Sequence, residues 1–219
     1  MLKLISKTFL IIHSFLICVR ILPFKYAIRV PIFFGYKCKI KVAKKGLISF
    51  SSPVSCGMVH FNSNVGTRGI LSQPSVFEIS GNLILGKGIL FGKGAVIRVA
   101  KNATLVIGNN LTCNKNLYIQ CEKEIVIGNH CLFGWCTSIR DTDGHQLLSN
   151  NSIINNSEKI IIGEKVWIAS NVDVLKGAII PNGCVVGTRT LVNKKFDEEG
   201  ILIVGIPSKK VKSNIKWEV

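Results

Sequence analysis

The chain has 219 residues, 47% of them hydrophobic, with 20 glycines and a formal net charge of +16. That size suits one turn-rich β domain with appendages, and no low-complexity linker marks off a second domain. The charge alone would admit a nucleic-acid partner, but no recognised motif or basic-aromatic platform accompanies it, so none is expected. The 8 cysteines include no C-x-x-C pair, which leaves out zinc-ribbon and thioredoxin spacings; without an export signal, a reducing cytoplasm and free thiols are expected.

Residues 1–45 differ in kind from the rest. They hold Lys3, Lys7, Arg20, Lys25, Arg29, Lys37, Lys39, Lys41, Lys44 and Lys45 and no acid; the first acid of the chain is Glu78. The uncharged run TFLIIHSFLICV lies between Lys7 and Arg20. It is too short to span a bilayer, which takes roughly 17–25 apolar residues, and no small-x-small cleavage site follows it. Two readings stay open. Residues 1–30 form a helix lying on an anionic membrane surface, lysines at the headgroups, or the helix packs as a cap on the domain that follows.

Residues 46–206 carry a pulse of six. Ile79, Leu85, Phe91 and Ile97 are in step, then Ile107, Cys113 and Ile119, then Ile127, Phe133 and Ile139. The most regular run is Ile162, Ile168, Val174, Ile180, Val186 and Val192, often followed by a small or turn-forming residue such as Gly163, Ala169, Pro181 or Gly187. A helix repeats near 3.6 and a strand at 2, so a sustained period of six means a corner at every sixth residue, with one aliphatic side chain per edge turned inward. Three such edges close one turn of a hexapeptide β-helix, an all-β parallel solenoid. The segment LGKGILFGKG (85–94) lacks the spacing and the Ser or Thr of a phosphate loop; its glycines fall at corners.

The largest break in the pulse lies between Ile139 and Ile162 and predicts a protruding loop near 140–158 that carries RDTDGHQLLSNN. His13 and His60 read as structural or surface residues, and His130 as a corner residue. His145 sits in the loop near Asp141 and Asp143. An imidazole is matched to proton transfer near neutral pH, and a carboxylate can fix its tautomer; a lone loop histidine can equally be inert. No third histidine accompanies His130 and His145 in the coils, so no metal site is expected. Residues 207–219 form a basic tail.

Three stretches, IGNHCLFGWCTSIRDTDGH, IIIGEKVWIASNVDVLKGA and VGIPSKKVK, resemble the left-handed β-helix acyltransferases with hexapeptide repeats. The chain is most similar to the bacterial polysaccharide and lipopolysaccharide O-acetyltransferases, and similar also to galactoside and maltose acetyltransferases, over residues 79–212. The resemblance implies a cytoplasmic homotrimer that moves an acetyl group from acetyl-CoA to a sugar hydroxyl, possible acceptors including lipid-linked glycans. His145 would be the general base, with Asp143 or else Asp141 orienting it, and the Ser170 backbone N–H, with Ala169 beside it, would meet the oxyanion. Asn114 would touch the acceptor or serve only as a polar corner. Gly134, Ser170, Thr188, Asn193, Lys194, Lys209 and Lys212 would line the coenzyme. Asn193-Lys194 stands where the family often has T-K, and Ala169 where W-I-G is usual. The alternatives are transfer to an amine and a β-helix that serves as a binding or scaffold module.

Overall fold

The structure is a computed structural model that describes residues 2–64, 72–150 and 152–218. Met1 and the Lys3 side chain, both part of the basic N-terminal segment, lie outside the described residues.

The chain winds repeatedly through three sheets. Sheet A stacks Ile32–Phe34, Val59–Ser63, Ile89–Gly92, Thr112–Cys113, Leu132–Phe133, Trp167–Ile168, Val185–Val186 and Leu202–Val204. Sheet B stacks Cys38–Val42, Ser75–Ile79, Val96–Val99, Tyr118–Cys121, Ser138–Arg140, Asp173–Leu175 and Leu191–Val192. Sheet C stacks Leu47–Phe50, Asn82–Leu85, Thr104–Ile107, Glu124–Ile127, Ile160–Ile162 and Ile179–Ile180. Each strand pairs in parallel with the strand one coil on, as the hexapeptide period requires. The register puts like on like: Ile119 between Ile97 and Ile139, and Ile127 between Ile107 and Ile162, all buried.

Corner geometry explains the period. At the corners into and out of sheet A, and at the B–C corner after Val174, the third residue after the inward side chain has positive φ: Gly88, Gly94, Asn110, Asn116, His130, Cys136, Lys165, Asn171, Gly177, Gly183 and Arg189. That conformation suits Gly and Asn; a Cβ makes it costlier for His130, Cys136, Lys165 and Arg189. The residue after it turns inward again, as Leu111, Leu117, Cys131, Thr137, Val166, Val172, Ala178, Cys184 and Thr190 do. Each hexad therefore buries two side chains rather than the one expected. In the early coils the strands are longer, so Ile79 pairs with Val99 while Phe77 occupies the column of Ile97. The coil also starts earlier than expected, at Ile32 rather than residue 46, since Ile32–Phe34 and Cys38–Val42 already pair with the second turn.

The N-terminal helix, α1 (Leu2–Ile21), seals the first coil. Ser14, Ile17 and Cys18 are buried. The Ser14 hydroxyl accepts the Phe34 N–H at 2.9 Å, and the Cys18 thiol donates to the Ile32 carbonyl at 3.4 Å. Beneath it the hexapeptide aliphatics give way to phenyl rings: Phe77 meets Phe34 and Phe61 edge-on, with centroids 5.5 and 5.2 Å apart, a favoured aromatic geometry. The opposite face of α1 exposes Phe9, Ile12 and Leu16. Among the described residues no helix is long and apolar enough to cross a membrane. At the other end, Lys209–Lys212 adds antiparallel to Leu202–Val204, and the Trp217 indole N–H donates to the Lys165 carbonyl at 2.8 Å.

Candidate active site

Three corners separate the sheets, and the predicted site residues distribute over two of them. The corner between sheets A and B is a column of short segments: Gly92–Gly94, Asn114–Asn116, Gly134–Cys136, Ala169–Asn171 and Gly187–Arg189. Coil-to-coil hydrogen bonds join them, from Asn116 N–H to the Lys93 carbonyl (2.9 Å), Cys136 to Lys115 (2.9 Å), Asn171 to Trp135 (3.0 Å) and Arg189 to Ser170 (3.2 Å). Asn114, Gly134, Ala169, Ser170 and Thr188 thus share one edge. Gly134 is required there, because a Cβ would stand 2.6 Å from the Ala169 carbonyl carbon and the Ser170 nitrogen. Lys209, opposite Val204, lies at the end of the same edge. Lys212, opposite Leu202, lies at the far side of sheet A and does not join the column.

The corner between sheets C and A shows what distinguishes this edge. There asparagines take three of the corner N–H groups: Asn109 Oδ1 accepts from Lys87 (2.9 Å), Asn129 Oδ1 from Asn109 (2.7 Å) and Asn182 Oδ1 from Glu164 (2.7 Å). On the A–B edge the matching positions are Lys93, Lys115, Trp135, Ser170 and Thr188, and the N–H groups of Trp135, Ser170 and Thr188 meet no acceptor among the described residues. The edge also carries no Asp or Glu from Gly92 to Arg189 at any of the segments named above. From Trp135 to Thr188 it presents three open backbone donors with basic residues and no acid alongside, suited to an anionic or oxyanionic ligand.

The corner between sheets B and C releases the predicted loop. It leaves after Asp141, forms a hairpin of Leu148–Ser149 with Ser152–Ile153, and returns at Glu158. Leu147, Leu148, Ile153 and Ile154 are exposed on this arm. His145 is exposed on it as well, and no side-chain hydrogen bond to the imidazole exists within the chain among the described residues.

Neither acid expected beside His145 bonds to it. Asp141 is fully buried, and its carboxylate accepts the backbone N–H of Glu122 (2.7 Å), Lys123 (2.8 Å) and Glu124 (2.8 Å). Its acceptors are spent on tying the corner together, so it does not orient the imidazole. Asp143 accepts from Lys176 Nζ at 2.6 Å and Asn155 Nδ2 at 2.9 Å. The Lys176 hydrogen bond, then that from Asn155, holds this carboxyl below its ordinary range. Asn155 is the residue that sequence reasoning missed. Its amide also donates to the His145 carbonyl (2.8 Å) and its Oδ1 accepts the Leu147 N–H (2.6 Å), closing the neck of the arm. Asn193 and Lys194 lie beside Asp143 and Lys176 at this corner, in a groove of about 570 Å³. Sheet B separates them, and His145, from the Ser170 edge.

No family model matches the chain. The protein WcaF of Escherichia coli strain K12, which carries the name of a colanic acid biosynthesis acetyltransferase, is 30% identical over 135 residues, 60% of this chain and 72% of that one. The polysialic acid O-acetyltransferase of Neisseria meningitidis is 39% identical over 127 residues, 57% of this chain and 59% of its own length. The crystal structure of the polySia specific acetyltransferase NeuO superposes with a TM-score of 0.57 at 20% identity, covering 86% of this chain and 79% of that one, and shows the shared fold. Coil, edge and relatives together define an acyl-transfer enzyme. Within that class, the chain belongs to the hexapeptide-repeat O-acetyltransferases.

Proposed function

We propose that the protein transfers the acetyl group of acetyl-CoA to a hydroxyl of a surface polysaccharide or its lipid-linked precursor, with His145 as general base. The observation that carries this reading is the A–B edge, where the N–H groups of Trp135, Ser170 and Thr188 meet no acceptor among the described residues, while asparagines take those of Lys87, Asn109 and Glu164 at the neighbouring corner. The acceptor oxygen attacks the thioester carbonyl carbon as its proton passes to the imidazole. The oxyanion takes the Ser170 N–H, beside Ala169. Collapse breaks the C–S bond, and the imidazolium returns the proton to the departing thiolate. Gly134 and Thr188 border the coenzyme path and Lys209 supplies a mobile charge for its phosphates. Asn114 lies one coil below Gly134 and two below Ser170, on the acceptor side.

His145 and Ser170 flank opposite sides of sheet B, so a second copy must bring the arm to the edge. A homotrimer with sheet B facing the threefold axis does this for all three sites at once, and seats Asn193 and Lys194 of one copy opposite the edge of the next. The exposed leucines and isoleucines of the arm support it, since an apolar group of that kind is normally covered by a partner. Arg140 Nε, buried on this side without an acceptor among the described residues, fits the same interface. Chains carrying His145→Ala and Ala169→Phe, each inactive alone, should regain up to about a quarter of wild-type turnover when mixed at equal ratio. Full activity in a monomeric fraction, or no recovery on mixing, would sink the shared site.

The outer face of α1 supports work at the cytoplasmic membrane face. Phe9, Ile12 and Leu16 are exposed, among basic residues with no acid before Glu78. The expected result is co-sedimentation with vesicles containing phosphatidylglycerol that is abolished by Phe9→Glu with Leu16→Glu; a wild-type protein that stays in the supernatant would refute it.

A further inference from the structure

Below Gly92 the same A–B edge opens into a groove of about 780 Å³, within the size range of small-ligand sites. Tyr36, Lys37, His60, Asn62, Gln73 and Lys93 line it. Its wall is fixed by a chain of hydrogen bonds. The Gly94 N–H donates to Ser75 Oγ (2.9 Å), the Ser75 hydroxyl to Asn62 Oδ1 (2.8 Å), and Asn62 Nδ2 to the Tyr36 carbonyl (2.5 Å). On the other side Gln73 Nε2 donates to the Gly94 carbonyl at 3.3 Å. Tyr36 is 48% exposed and leans on the His13 ring, 5.2 Å between centroids. The composition is that of a sugar site: an aromatic face for the apolar side of a pyranose, and amides and hydroxyls for its edge. Burial against Phe33 lowers the His60 pKa below its ordinary value, so the groove's cations at neutral pH are Lys37 and Lys93. Neither has a carboxylate partner among the described residues.

Lys93 belongs both to this groove and to the edge that leads through Asn114 to Ser170. From these facts, and resting on the saccharide reading above, we infer that the groove is a second acceptor subsite that holds an unreacted part of an acidic saccharide, with Lys37 and Lys93 pairing its carboxylates. The groove also adjoins Leu10 of α1, so a glycan carried on a lipid would enter it directly from the membrane side.

The test uses the full-length protein and oligosaccharides bearing uronic or sialic acid, each beside its carboxyl-reduced counterpart. Wild type should favour the acidic member, and Lys37→Gln with Lys93→Gln should raise its KM about tenfold with kcat little changed. Both lysines are exposed, so the variant keeps the fold. Equal KM for the acidic and reduced members, or an unchanged KM in the variant, overturns the subsite while leaving O-acetylation standing. If no saccharide is acetylated, the saccharide reading has failed instead. Calorimetric titration with the same acidic oligosaccharides then decides the groove separately: binding lost in the double variant supports it, and absence of binding to wild type overturns it.

Discussion

His145→Ala lowers kcat by about 10²–10⁴-fold, the usual contribution of a positioned general base, and leaves the coil intact. The side chain is exposed on the arm and makes no hydrogen bond among the described residues, so its loss removes no hydrogen bond to them. The arm is held by other groups: Asn155 bonds the His145 carbonyl and the Leu147 N–H, and Lys176 bonds Asp143. The substitution thus separates chemistry from folding. The measurement is thiol release from acetyl-CoA with a saccharide acceptor, together with the thermal midpoint. A variant that keeps wild-type kcat would remove His145 from the reaction, whereas one with a lowered midpoint would mean that the residue is structural. Asn155→Ala leaves the imidazole present but frees its backbone, and its effect should fall on kcat more than on stability.

Asp141→Ala should be the most destabilising of the single changes considered. Three backbone donors converge on one fully buried carboxylate at 2.7–2.8 Å. A buried donor left without a partner costs about 1–3 kcal/mol, so the loss is about 2–6 kcal/mol if water reaches one of the three. Urea unfolding is the direct measurement, and Asp141→Asn, which retains one acceptor oxygen, should fall between wild type and alanine. An unchanged midpoint for the alanine variant would contradict the anchoring role. The same variant should lose turnover as well, because the arm departs from this corner and returns through the Glu158 N–H on the Asp141 carbonyl at 3.0 Å.

The period of six was readable because one inward aliphatic per edge survives in almost every coil, from Ile97 to Val192. The second inward position was not, since it accepts Ala178, Cys184 and Thr190 as readily as Leu111; a small site next to a corner tolerates many residue types. The first coil escaped notice because Phe34 replaces an aliphatic there, as Phe61 and Phe77 do in the second, and the corner lengths vary. The break that carries His145 stood out as an interruption. Its supports did not: Asp141 and Asp143 look alike in sequence, and only burial distinguishes the acid that fixes a corner from the one that meets Lys176. The free N–H groups of Trp135, Ser170 and Thr188 were illegible for a related reason. They follow from side chains that are missing from the neighbouring coil, which a linear reading does not register.

The two ends of the coil are closed by unlike devices, a helix over Ile32–Phe34 and a reversed strand against Leu202–Val204. A parallel solenoid has no internal reason to stop, and an open end is a template on which another chain can pair. These plugs therefore decide that the molecule has a fixed length instead of growing into a filament. Removing α1 would expose the Phe34 ring and the first strand edges together, and the product should be end-to-end aggregates in place of a shorter soluble enzyme.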